Sequence, residues 1–166
     1  MACGAFYALT APAGLAFGCG GGSFGGVASM EKLAAFLAEP RNVIVAGIRR
    51  DGRPHLTPNW FSWDSEFFYV STTRTRAKYA IFRRDPRASL AIDDPTGFRC
   101  VLVSGRVNIR ENVADELEHF RAIREKHGLA VPDDAEHLAS LVADQRVLLA
   151  ITPDGPASNW TTWGLD

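Results

Sequence analysis

Asp51-Gly52 lies between two β-type runs, Val43-Ile44-Val45 and the stretch from Pro54 to Trp63. Glycine adopts positive φ without a steric penalty, so Arg50-Asp51-Gly52-Arg53 is expected to close a hairpin between consecutive strands. That pairing constrains the fold more than any other feature. Strands joined by a tight turn are antiparallel, whereas parallel strands need a long crossover between them.

The rest of the sequence fits the same architecture. Leu33, Phe36 and Leu37 stand at helical spacing within Glu31–Glu39, and Pro40 stops that helix. Asn42–Arg49 and Pro54–Trp63 read as strands, with Pro58 implying an edge or a bulge. Asp64-Ser65-Glu66 turns the chain into an aromatic strand, Phe67–Thr72. A short helix over Thr75–Arg84 ends at Asp85-Pro86-Arg87. Ala88–Asp93 and Cys100–Ile109 are strands joined by an Asp94–Arg99 loop. Asn112 is placed to cap a helix that runs to about His127 and is closed by Gly128. Another helix covers Asp133–Ala143, a last strand covers Arg146–Ile151, and the tail is rich in Pro, Gly and Trp. Hairpins come first and helices are isolated among them. The expected fold is mainly β, an antiparallel sheet or small barrel with peripheral helices, in one domain over residues 30–166.

Residues 1–29 stand apart. All 18 Lys/Arg and all 19 Asp/Glu of the 166 residues lie from Glu31 onward. The first segment lacks the basic start of a secretory signal, and Pro12, Gly14 and Gly18 interrupt its apolar run. Its glycine run, Gly20–Gly26, is not followed by the Lys-Ser/Thr of a phosphate loop. It is expected to be a disordered tail, or upstream sequence read through from a start at Met30. Ser29 is placed to cap the first helix.

A net charge of −1 argues against a protein that coats nucleic acid. Cys3, Cys19 and Cys100 are odd in number and form no CxxC pair, so a reducing cytoplasm is the expected compartment. His55, His119, His127 and His137 lie in no HExxH or Cys/His cluster, so no metal site is expected. No membrane association is expected either.

Two stretches carry candidate chemistry. Ser71-Thr72-Thr73-Arg74-Thr75-Arg76-Ala77-Lys78 leaves an apolar strand, offers hydroxyls and backbone N–H groups, and opens a helix. Arg74, Arg76, Lys78, Arg83, Arg84 and Arg87 are opposed only by Asp85. Hydroxyls, Arg and Lys at a helix start suit a phosphate, while a solvated basic helix face is the plainer reading. In Pro54–Trp63, strand alternation puts His55, Thr57, Asn59, Phe61 and Trp63 on one face if no bulge intervenes. That mixture fits a flat heteroaromatic ligand, and it fits an aromatic core with polar edges equally well. No catalytic triad can be assembled, so no catalytic side chain is assigned.

The order of these pieces resembles the flavin/deazaflavin oxidoreductase family, the pyridoxamine 5′-phosphate oxidase-like split β-barrels. The resemblance rests on Asp51-Gly52-Arg53-Pro54-His55, Trp60-Phe61-Ser62-Trp63-Asp64, Ser71-Thr72 and Arg76-Ala77-Lys78. It continues through Arg83-Arg84-Asp85-Pro86-Arg87-Ala88-Ser89-Leu90 and Asp144-Gln145-Arg146-Val147-Leu148-Leu149. It spans Glu31 to about Trp160. The subgroup most similar uses the deazaflavin coenzyme F420, with FMN as the alternative cofactor.

The resemblance implies a split β-barrel of the FMN-binding-protein type, forming a homodimer with a cofactor site at the subunit interface. Thr57, Pro58 and Asn59 would line the ring, mostly through backbone groups, and Ser71 and Thr72 would meet the ribityl–phosphate portion. Arg76 and Lys78 would bind the phosphate. Gly97, Phe98 and Arg99 would approach from the other subunit, and Trp160 would stand near the pocket mouth. The implied activity is hydride transfer between coenzyme F420 and a small conjugated or unsaturated substrate. The alternatives are an FMN-dependent oxidoreductase or a non-catalytic carrier of either cofactor. Two departures stand out. The family's Asn-Leu after the lysine is Ile81-Phe82 here, and the Arg-x-His pair of true pyridoxamine phosphate oxidases is missing.

Overall fold

The computed structural model describes residues 29–165. The expectations for residues 1–28 lie outside them. Ser29 caps α1 (Met30–Ala38), its side chain accepting from the Lys32 N–H at 3.3 Å. The strands are β1 (Val43–Ile48), β2 (Pro54–Asn59), β3 (Ser62–Trp63), β4 (Phe68–Thr73), β5 (Arg87–Asp93), β6 (Cys100–Arg110), β7 (Arg146–Pro153) and β8 (Thr161–Trp163). The other helices among the described residues are α2 (Ala77–Arg84), α3 (Leu117–Lys126) and α4 (Asp134–Ala143), with a 3-10 turn at Ala157–Asn159.

All strand pairs are antiparallel. They form one curled half-barrel sheet in the order β2-β1-β5-β6-β7-β4-β3, with β8 also pairing β6. The hairpin forms where Asp51-Gly52 places it. The Arg49 N–H bonds the Arg53 carbonyl at 2.9 Å, and the left-handed position falls on Gly52 at φ 81°.

Two expectations change. Pro54–Trp63 is two strands, because Trp60-Phe61 leaves the ladder: β2 pairs β1, whereas β3 pairs β4. Asn112 does not cap α3. Its side chain accepts from Ala114 N–H in a local turn, and the helix starts at Leu117. Within the Pro-, Gly- and Trp-rich tail, Thr161–Trp163 forms a further strand that pairs β6. Gly128 closes α3 in the left-handed conformation, as expected.

The core forms on both sides of the sheet. Inside the curl, Val43, Val45, Val70, Leu90, Val101 and Ile151 pack with Leu33 and Phe36 of α1 and Ile81 and Phe82 of α2. Outside it, Tyr69, Leu148 and Ala150 are covered by Phe120 and Ile123 of α3 and Leu141 of α4. This double covering explains why β7 reads as an unbroken apolar run, Val147–Ile151, instead of alternating. Burial of such side chains contributes about 1.5–3 kcal/mol each relative to exposure.

Candidate anion and cofactor site

β2 ends the sheet, and its alternation leaves His55, Thr57 and Asn59 half-buried while Leu56 and Pro58 face out. The side chains of the expected ring-lining trio thus alternate: Thr57 and Asn59 point inward, Pro58 outward, and β2 presents their backbone groups at the end of the sheet. Asn59 Nδ2 donates to the Thr57 carbonyl at 2.6 Å and to Thr57 Oγ1 at 3.1 Å. Its Oδ1 accepts from Lys78 Nζ. A lysine ammonium only donates, so this contact fixes which way the amide faces.

Lys78 is only 7% exposed. Burial and then the neighbouring Arg76 push its pKa down to about 8. It makes no ion pair with a described carboxylate. A buried cation matched only by a neutral amide is poorly compensated, and an anion would complete it. Arg76 stands just before α2, exposed, with no side-chain hydrogen bond closing the helix start.

The other basic residues of this run already have protein partners. Arg74 pairs with Glu111. The Arg83 guanidinium lies over the Tyr79 ring at 5.8 Å, and Arg84 donates to the Ile48 carbonyl. Arg87 pairs with Asp85 at 2.7 Å. Among the described residues the charge run thus resolves into a partnered majority and two cations without an anionic partner, Arg76 and Lys78.

Ser71 and Thr72 fall on opposite sides of β4. Thr72 is buried, whereas Ser71 lines a cavity of about 290 Å³ with Asn59, Trp60, His137 and Arg146. Arg146 Nη1 donates to Ser71 Oγ at 3.4 Å, and Nη2 pairs with Asp144. The sequence showed Arg146 only as part of the closing strand. Its place here comes from the register that sets it opposite Thr73.

Ile81 and Phe82 face the core at the family's Asn-Leu positions. A Cβ at Gly47 would meet Phe82 Cε1 at 2.8 Å, so glycine on β1 makes room for the phenyl ring. Both Ile81 and Phe82 are core residues here.

Gly97, Phe98 and Arg99 lie elsewhere in the chain. Arg99 Nε donates to Asp94 at 2.9 Å, and its guanidinium lies over Phe36 at 5.5 Å. Asp94 also accepts from Thr96 Oγ1 and the Arg99 N–H, bonds that hold its carboxyl well below the usual range. Phe98 is 79% exposed at the tip of this braced loop. The loop makes no hydrogen bond to Asn59, Ser71 or Lys78 of its own chain. Trp160 packs on Trp63 and Phe68, and lines a different cavity, of about 420 Å³, with Ser89 and Ser104.

The family model of pyridoxamine 5′-phosphate oxidase matches residues 29–156. The chain belongs to the pyridoxamine 5′-phosphate oxidase family. Solved structures agree on the fold. A conserved hypothetical protein of Mycobacterium tuberculosis is 24% identical with a TM-score of 0.70, the match covering 82% of this chain and 85% of that one. An F420 reductase is 22% identical with a TM-score of 0.59, covering 73% and 92%. The heme storage protein HutZ of Vibrio cholerae is 14% identical with a TM-score of 0.64, covering 81% and 94%. Members and neighbours of this fold therefore differ in what they bind. Among the described residues no group of three or more His, Cys, Asp or Glu is arranged to hold a metal ion, and no helix is long and apolar enough to cross a membrane.

Proposed function

We propose that the protein is an oxidoreductase that passes a hydride between coenzyme F420 and a small conjugated or unsaturated substrate. The observation that carries this reading is Lys78: a buried cation, matched by an amide, beside the uncommitted Arg76 at the start of a helix. These groups fit a phosphate, which both candidate cofactors carry. When bound, the cofactor supplies the hydride chemistry.

The chain's own residues bind and orient. Lys78 and Arg76 neutralise the phosphate, and Asn59 fixes the ammonium that does so. Ser71 offers its hydroxyl to the ribityl portion, and the inward face of β2 at Thr57 meets the ring. No side chain is required as a nucleophile. Parallel titrations of the purified protein with coenzyme F420 and FMN test the assignment.

One observation favours FMN as the second reading. Arg74, a cation suited to the longer anionic tail of the deazaflavin, is held by Glu111 and Tyr79.

The site is proposed to be completed by a second copy of the chain. On the outer face of the sheet, register aligns Pro58, Ile44, Ala91, Leu102 and Thr161 in one row across five strands. Leu56, on the same face, is 58% exposed. Among the described residues Pro58, Leu102 and Thr161 of this row are exposed, and Ile44 and Ala91 are half-buried. A partner docked there would bury it, and its braced Gly97–Arg99 loop could then reach a cofactor held by this subunit.

A further inference from the structure

The two residues after Asn59 cross from one end of the sheet to the other. Trp60 and Phe61 link β2, which pairs β1, to β3, which pairs β4. They have no ladder partners of their own, so side-chain packing must hold them. The C-terminal end of α3 supplies that packing through two consecutive residues. The His127 ring stacks on Trp60 with centroids 4.7 Å apart and planes 15° apart. Lys126 Nζ lies 3.2 Å from the centroid of the fully buried Phe61 ring.

Lys126 reaches further. Its ammonium donates to the Leu37 carbonyl at 2.6 Å. Leu37 is in the last turn of α1, which has no basic residue of its own there. The lysine thus serves an orphan carbonyl of α1 while its charge rests on the aromatic face. Arg41 is the charged group nearest in effect, and burial together with Arg41 pushes the Lys126 pKa down to about 7. His127 Nε2 is buried with no hydrogen-bond partner among the described residues, so the ring acts by stacking.

We propose that Lys126 and His127 are positioning residues for the Lys78 site: by clamping Trp60-Phe61 they hold Asn59 where its side-chain oxygen meets the Lys78 ammonium. The relevance of this clamp to ligand binding rests on the proposed cofactor site. The clamp itself concerns contacts within the chain.

Two measurements on the full chain test it. The first uses no cofactor. The NMR signals of the Asn59 side-chain amide should shift in His127→Ala and return in His127→Phe, which keeps the stack and lacks the ring nitrogens. Where the alanine variant melts too low, His127→Leu fills the volume without stacking and should behave like alanine. Unmoved Asn59 signals in a folded variant overturn the proposal, whatever the protein binds.

The second is a double-mutant cycle read by calorimetric titration with coenzyme F420 and with FMN. His127→Ala should weaken binding about tenfold in the wild-type background and add nothing to Asn59→Ala, as expected for residues acting through one another. Equal losses in both backgrounds overturn the proposal. If the Asn59 signals respond as expected and neither cofactor binds, the clamp stands and the cofactor reading falls.

Discussion

Lys78 and Asn59 meet across two elements that the sequence separates by 19 positions, α2 and the end of β2. The lysine has no carboxylate among its described neighbours. Its one hydrogen-bond acceptor among the described residues is an amide oxygen, itself oriented by two bonds to Thr57. A buried ammonium held this way costs stability, and the proposed anion would offset that cost; both effects can be measured.

On affinity, Lys78→Ala should weaken binding of a phosphate-bearing cofactor by about 1.5–3 kcal/mol, the range for hydrogen bonds to charged groups. Arg76→Ala should also weaken it, while Arg83→Ala should leave it unchanged, because that guanidinium rests on Tyr79. Isothermal titration calorimetry separates the three.

The pH dependence of binding follows from the Lys78 pKa of about 8. The ammonium that attracts a phosphate is lost as pH rises through that value, so affinity should fall between pH 7 and 9. Lys78→Arg, which stays protonated, should bind with a flat profile over this range.

Stability runs the other way. The folded pKa of Lys78 is lowered from 10.5, so between about 8 and 10.5 the unfolded chain binds more protons. The contribution of this group is most favourable above the unfolded pKa and is lost as pH falls through the folded one. Thermal melts should therefore show Lys78→Met stabilising the protein at pH 7 more than at pH 10.5.

Asp94 shows the opposite sign. Bonds from Thr96 and Arg99 hold its carboxyl well below the usual range, so its contribution is present above the unfolded pKa near 3.8 and fades as pH falls further. Asp94→Ala should lower the melting temperature at pH 7, and the difference from wild type should shrink below pH 4. Loosening of the loop should show as faster hydrogen exchange at Phe98.

The outer face predicts assembly. Leu56→Glu places a charge beside the Pro58–Ile44–Ala91–Leu102 row, and light scattering should find a dimer in the wild type and a monomer in the variant. Leu56 is exposed in the single chain, so the melting temperature of the separated subunit should change little. A wild-type monomer would remove the second subunit from the account.

Much of this was legible in the sequence, for physical reasons. The hairpin at Asp51-Gly52 is local chemistry, and the chain forms it as expected. The basic stretch was visible in the sequence, but which of its cations the fold pairs was not. Glu111 and Tyr79 withdraw Arg74, and only the folded chain brings them together. The split at Trp60-Phe61 could not be read because strand periodicity continues through it. What ends the ladder is the choice of partner strand, a long-range decision. For the same reason β8 was hidden in the tail, and the Lys126–Phe61 contact joins residues far apart in the sequence.

The most direct test of the central claim is titration of the purified full chain with coenzyme F420 and, separately, with FMN, followed by tryptophan fluorescence, since Trp60 lines the cavity beside Asn59. The account predicts micromolar or tighter binding of the deazaflavin, with FMN much weaker and Lys78→Ala impaired. Preference for FMN would move the protein to the flavin-dependent reading, and binding of neither cofactor would contradict the proposed function.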